Sequence, residues 1–462
     1  MMARLLYMLR PSTPRPRCGR CAQGARDARR GERGAALLVV ITSVAILTAV
    51  TVDLAYNTRV SLQAAANARD ELRAYYLAKS GVAMSRLVLS FQQRLDGATS
   101  GVAAAAGAAG GAGGAAGGLA AALGGGAMKL RLWDLIPVDS SATSLFVGAG
   151  EAGPPPSLFE RAVAKEGAAP PETGTRRAFG DAEGSFHATI ADEERKINIA
   201  QFDALPATGL PTAQSARFTD LMKDPKWDFL FDEDDANGMR VQRRELIAAL
   251  KDWEDENEMS SNYTGVLTKP FEDGFGDENG YYDRLTDRYK AKNAPYDSLD
   301  ELYMVVGVSD AFMAAFGDKL TIYPDKNATI NVNTDDPAQL MVNALLMSDP
   351  PGVPQPALVD PAFLQKLRMA LALAKPLPFM SITPQQFASV LSGLGVKVQQ
   401  LFQQNINRDL RSPFGDQSKT FEIRAVGVAG DITKRIAAVV TFDNRAEGLS
   451  QDAGRLLHWH EE

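Results

Sequence analysis

"RRGERGAALLVVITSVAILTAV", residues 29–50, sets arginines directly against an apolar run, with Gly34 at the seam. From Ala35 to Val52 no side chain is charged. Eighteen helical residues span about 27 Å, close to the hydrocarbon thickness of a bilayer. A secretory signal that is cut away has a shorter apolar core with a small-residue cleavage region behind it. No such region follows here. "YNTRVSLQAAANARDELRAYYLAKSGVAMSRLVLSFQQ" instead runs on without proline, its lone glycine being Gly81, until Gly97. Leu72, Tyr76, Ala83 and Leu87 fall on one helical face, so the spacing predicts one helix continuing well past the membrane. The arginine-rich leader should stay on the cytoplasmic side and the rest of the chain cross.

The chain has 462 residues and a formal net charge of -7, enough length for several domains. The acid is concentrated: residues 228–301 hold 20 acidic against 9 basic side chains. That balance argues against nucleic acid, whose phosphates need a basic face. Both cysteines, Cys18 and Cys21, lie in the leader as an isolated "CGRC", so no disulfide can form beyond residue 21.

"GATSGVAAAAGAAGGAGGAAGGLAAALGGGA", 97–127, reads as a flexible tether; it carries no phosphate-binding GxxxxGK[ST]. "GSFHATIADEERKINIA" alternates as strand, turn, strand. From Thr212 to about Gly317 the period turns helical, with Leu246, Leu250 and Trp253 on one face and a Ser298 cap with Glu301 three residues on. "KLTIYP" and "ATINVNT" return to strand, helices follow from Pro337 to about Leu401, and "KTFEIRAVGVAG" with "KRIAAVVTFD" forms a strand pair joined near Gly430–Asp431. A helical block thus interrupts a strand-bearing domain.

Two acidic loops, "DWEDENE" (252–258) and "FEDGFGDENGYY" (271–282), offer the hard oxygen ligands that calcium takes. Candidates are Asp252, Asp255, Asn257, Glu258, Asp277, Glu278 and Asn279, and a solvated acidic surface is the alternative. "FDEDDANGM" (231–239) is no EF-hand, because Arg244 stands where the loop needs a bidentate glutamate. Catalytic patterns fail: there is no GxSxG, and nothing fixes a carboxylate pair. The chain is expected not to be an enzyme. "HWH" at 458–460 could bind a metal but reads as a frayed tail.

A basic leader ending in Gly34 and "AALLVV" opening a long helix resemble the class III signal of type IV pilins and type II secretion pseudopilins. "LIAALKDWEDEN", "GDENGYYDR", "AKNAPYDSLDELYMVVGV" and "INVNTDDPAQL" then follow in the order seen in the general secretion pathway protein K (GspK) family, the large minor pseudopilins of type II secretion. Departures are Asn257, Asp277, Asn279 and "NTDD". The family resemblance implies cleavage by a prepilin peptidase after Gly34 and N-methylation of Ala35. It also implies that position five of the mature chain, usually glutamate, is Val39 here, as in a tip subunit with nothing to dock above it. A carboxylate at that depth would be costly unless paired.

The implied fold is α+β and type IV pilin-like: a long N-terminal transmembrane helix packed on an antiparallel sheet, with a large inserted α-helical domain of SAM or helix-hairpin-helix-like character. The expected segments are a cleaved leader (1–34), an assembly helix (35–96, transmembrane about 35–55), the Ala/Gly linker (97–128), a first pilin-like part (129–211), the inserted domain (212–318), the remaining pilin-like part with further helices and a terminal hairpin (319–446) and a tail (447–462). Calcium is the implied cofactor, at Asp252, Asp255, Asn257, Glu278 and Asn279. The implied role is that of a minor pseudopilin nucleating and capping the pseudopilus for export across the outer membrane. The protein would sit as a single-pass protein of the inner membrane with its bulk in the periplasm. Implied partners are the other minor pseudopilins, the major pseudopilin, the prepilin peptidase and the outer-membrane secretin or an exoprotein, with no nucleic acid. The rival readings are a minor pilin of a type IV pilus and a periplasmic helix-hairpin-helix protein that handles DNA.

Overall fold

The computed structural model describes residues 24–109, 129–140, 184–232, 234, 240–375, 380–403, 414–442 and 454–462. Cys18, Cys21, leader residues 1–23, linker residues 110–128 and most of the "FDEDDANGM" loop lie outside them. The chain divides into two compact units, Met1–Arg69 and Asp70–Glu462.

The described part of the first unit is helical. Helix α1 (Gly24–Ala109) carries, from Ala36 on, an apolar stretch long enough to cross a membrane, with none of it covered. Thr48, Thr51 and Thr58 each donate to the carbonyl four residues back, at 2.7, 2.6 and 2.7 Å. In a medium that supplies no hydrogen bonds, that back-bonding removes the cost of a bare hydroxyl. Gly34 and Ala35 lie within the α1 backbone, and Val39 is exposed. The helix also extends beyond Gly97 to Ala109, so the first part of the expected tether is helix, as alanine favours.

In the second unit the later turns of α1 cover a sheet. The buried stripe is Ala74, Leu77, Ala78, Val82, Val88 and Leu89, not the predicted face. Leu72, Tyr76 and Leu87 are 61, 61 and 52% exposed. Strands β1 (Val138–Asp139) and β2 (Ser185–Asp192) belong to that sheet. After β2 the chain leaves it for helix α2 (Leu210–Met222), helix α3 (Arg243–Asp252), the hairpin β3 (Met259–Tyr263) and β4 (Phe271–Asp277), and helix α4 (Asp310–Phe316). Helices α5 (Pro337–Met347), α6 (Phe363–Ala374) and α7 (Pro384–Gly393) come next. Strands β5 (Thr420–Ala429), β6 (Ile432–Thr441) and β7 (Arg455–Glu461) complete the sheet in the order β7-β6-β5-β2-β1, with every neighbour antiparallel. Gly430, with φ +58°, turns the predicted β5–β6 hairpin.

The expected tail is a correction. Residues 455–461 pair with β6 as an edge strand, placing His460 opposite Ala437 and His458 opposite Val439, while Trp459 packs on the core shared with α1. The period-2 alternation of "LLHWHE" is a strand signal that its terminal position masked.

The helical insertion is also larger than a single block. Ile197–Asn198 pairs in parallel with Leu320–Thr321, and Ile330–Asn331 with Phe414–Gly415. The chain therefore makes two excursions, 199–319 and 332–413, each ending beside its starting point. They have separate cores. Phe202, Phe218, Phe312 and Phe316 fill the first, and Leu340, Leu367, Phe387 and Leu391 the second. Helix α2 joins them, with Ala213 in one and Phe218 in the other. Ser298 makes no side-chain cap bond; Glu301 instead accepts from the Asp297 backbone N–H at 3.0 Å and pairs with Lys292 at 2.9 Å.

Where β2 hands over to the first excursion, two carboxyls are held against β5. Ser418 donates to Asp192 at 2.5 Å, and the Lys419 and Thr420 N–H groups donate to Glu194 at 2.7 and 3.1 Å. Burial pushes both acids up, Glu194 to about 8 with the Asp192 charge adding to it. A carboxyl that keeps its proton longer in the fold makes the native state the better proton binder between its ordinary value and the raised one. Stability should therefore fall as pH rises through that window. Urea melts from about pH 5 to about pH 8.5, run in saturating calcium, should show a falling midpoint whose slope Glu194→Gln makes shallower. A midpoint rising across the range would refute this.

Candidate metal centre

Helix α3 begins where Glu245 accepts from the Gln242 N–H at 2.8 Å. Leu246, Ile247 and Leu250 bury its inner face. It ends at Asp252, and buried Trp253 then anchors the acidic loop against Tyr282 and Tyr289, at 5.7 and 6.3 Å between ring centroids. Tyr296 donates to the Leu250 carbonyl at 2.7 Å, closing the same corner. Pairing of β3 with β4 sets Met259 opposite Asp277 and so returns Glu278 to the end of α3.

Asp252, Asp255 and Glu278 converge there. All three are buried, and each offers an oxygen within 4.8 Å of the others. Asp252 accepts from the Ser261 N–H through both oxygens, at 2.9 and 3.1 Å. Asp255 pairs with Lys251 through one oxygen, and its Oδ1 has no partner. Neither Glu278 oxygen has a hydrogen-bond partner in good geometry; the neighbouring Asn293 amide donates to the Asn257 carbonyl at 2.6 Å instead. Burial, then the charges of Asp252 and Asp255, pushes Glu278 up to about 8, and burial raises Asp252 to about 6. Buried oxygens without donors are costly. Three carboxylates with an oxygen each inside 4.8 Å make a set of hard ligands that fits calcium.

The remaining sequence candidates serve the loop. Asn257 Oδ1 accepts from the Met259 N–H at 2.8 Å, and Asn279 Oδ1 from the Ala291 N–H at 3.0 Å. Asp277 accepts from the Asn279 N–H at 2.9 Å, forming the turn that presents Glu278. Glu258 is exposed.

One acid was missed. Glu254 is 2% exposed, and burial with Asp203, Asp325 and Asp255 nearby raises it to about 8, against the pull of Lys326. Lys326 pairs with Asp203 at 2.7 Å, and Lys251 lies 3.9 Å from the same carboxylate. The signal for Glu254 was its place in "DWEDENE", but its neighbours come from remote segments.

The architecture is that of an apolar-helix protein whose helix packs on an antiparallel sheet interrupted by helical excursions. No known family model and no curated protein matches the chain. Among solved structures it is similar to the GspK–GspI–GspJ complex of the enterotoxigenic Escherichia coli type 2 secretion system, at 15% identity and a TM-score of 0.35. That match covers 60% of this chain and 80% of the other. A likeness at that level does not of itself carry function.

Proposed function

We propose that this protein is a non-enzymatic minor pseudopilin at the tip of a type II secretion pseudopilus. The observation that carries this reading is the division of labour along α1. Its stretch from Ala36 is apolar, uncovered and able to span a bilayer, while Ala74, Leu77, Ala78, Val82, Val88 and Leu89 bury a stripe on an antiparallel sheet. A helix built that way anchors a domain and leaves its outer surface for neighbouring helices. Val39 suits the tip, because a subunit with none above it needs no membrane-depth carboxylate to receive one. The leader through Gly34 would be removed by the prepilin peptidase and Ala35 methylated. The chain would then stand in the inner membrane with its bulk in the periplasm, beside other minor pseudopilins and above the major one, facing the secretin or an exoprotein. Calcium held by Asp252, Asp255 and Glu278 would fix the corner between α3 and the β3–β4 hairpin, supplying the charge that closes three carboxylates on one point.

Mass spectrometry of the mature amino terminus tests the class. A protein beginning at N-methylated Ala35 is expected; one cut after Val50 overturns the reading. Deleting the gene should abolish secretion and pseudopilus initiation, and unaffected secretion would refute the tip role.

A further inference from the structure

The β3–β4 hairpin carries a feature that neither the anchor nor the metal centre uses. Its register jumps from Met259↔Asp277 to Ser261↔Asp273, so Ser260 alone faces residues 274–276. A bulge of this kind re-aims a side chain. Here it is built by two glycines. A Cβ on Gly274 would lie 2.5 Å from the Ser260 carbonyl oxygen, and one on Gly276 would lie 2.8 Å from Ser260 Oγ. The backbone can crowd Ser260 only because both side chains are missing. The residue between them, Phe275, is 105% exposed. Phe271 on the same strand packs against Phe202 and Tyr263 at 5.9 and 5.5 Å, so the strand has a core to offer and the bulge withholds Phe275 from it. Met259, across the pairing from Asp277, is itself 51% exposed.

The surroundings are anionic. From Asp252 to Asn279 there are nine acids and one base, Lys269, which pairs with Glu272 at 3.0 Å. Asp252, Glu254, Asp255 and Glu278 point inward, which leaves Glu256, Glu258, Asp273 and Asp277 at the surface around the hairpin. An aromatic side chain held out among acids complements an apolar pocket with a cationic rim, and buried aromatics of this kind dominate interface energies. An anionic lipid surface would repel the same rim.

We propose that Phe275 is a docking knob that inserts into an apolar pocket, edged by lysine or arginine, on a different protein. The proposal holds whether or not the chain is a pseudopilin. Its test places the photo-crosslinker p-benzoylphenylalanine at position 275 of the full-length protein in its native host, with the same probe at exposed Val266 as the control. The expected result is a discrete protein adduct at 275 and not at 266, mapping to an apolar site flanked by basic residues. Unlabelled wild-type chain should compete it away, Phe275→Ala should compete at least about tenfold less well, and Glu258→Gln with Asp273→Asn should weaken competition at low salt. Phe275→Ala should melt with the wild type, since the ring contributes nothing to the fold. Absence of an adduct above the control would overturn the proposal. So would an adduct to lipid, to a second copy of this chain or to a site without basic residues, and so would equal competition by Phe275→Ala.

Discussion

Removing divalent cations from the full-length protein at pH 8 should lower its melting temperature by about 3–4 °C, and millimolar calcium should restore it. The size follows from linkage: a ligand at a hundred times its Kd stabilises by about 2.7 kcal/mol, and in a unit as long as Asp70–Glu462 each kcal/mol shifts melting by roughly 1–1.5 °C. The direction follows from the site. Without a cation, Asp252, Asp255 and Glu278 face one another with Lys251 as the nearest compensating charge, and Glu278 is driven up to about 8. Protons and calcium then compete for the same oxygens, so the calcium increment should grow between pH 6 and pH 8. Magnesium should do less, because it gives up its water reluctantly. Glu278→Gln separates a metal site from a structural acid cluster. With one charge gone, the variant in chelator should melt at or above the wild type, while its calcium increment largely disappears. Superimposable melting curves with and without calcium would mean that Lys251 and bound protons already settle the cluster.

What could be read from the sequence was local. The apolar run of α1, the strand–turn–strand of 184–200 and the β5–β6 hairpin all carry their period within a few residues. The acidic loops announced themselves by crowding, which is why Asp252, Asp255 and Glu278 were nameable. Glu254 was not, since Asp203 and Lys326 reach it from segments some fifty and seventy residues away. The two parallel pairs that close the excursions, Ile197–Asn198 with Leu320–Thr321 and Ile330–Asn331 with Phe414–Gly415, are too short to leave a pattern. The face of α1 was misread for a physical reason. Periodicity weights large apolar residues, and Leu72, Tyr76 and Leu87 on the exposed face compete with Leu77, Val82, Val88 and Leu89 on the buried one. Large apolar residues stand on both faces, and what selects the buried one is the close approach of the Ala74 and Ala78 backbone to Gly427, beside which Leu77, Val82, Val88 and Leu89 pack.

That closeness makes Gly427 the most sensitive position of the helix–sheet contact. A Cβ there would stand 2.1 Å from the Ala74 carbonyl oxygen and 2.5 Å from the Ala78 nitrogen. Both atoms are backbone, within a helix whose own hydrogen bonds fix them, so no rotamer change can relieve the collision. Gly427→Ala should therefore cost at least about 3 kcal/mol, at the upper end for overpacking, and lower melting by about 3–5 °C. Gly427→Val should free the helix, exposing Leu77, Val82 and Leu89 to protease. Gly393→Ala is the matched control: nothing lies within 4 Å of a Cβ there, and the change should be neutral or slightly stabilising. Ala74→Gly gives the sharper comparison. It removes a side chain but not the carbonyl that the new methyl strikes, so it should fail to rescue Gly427→Ala. Rescue would show that the helix rests on the sheet through side chains, and wild-type melting of Gly427→Ala would show that it does not rest there at all.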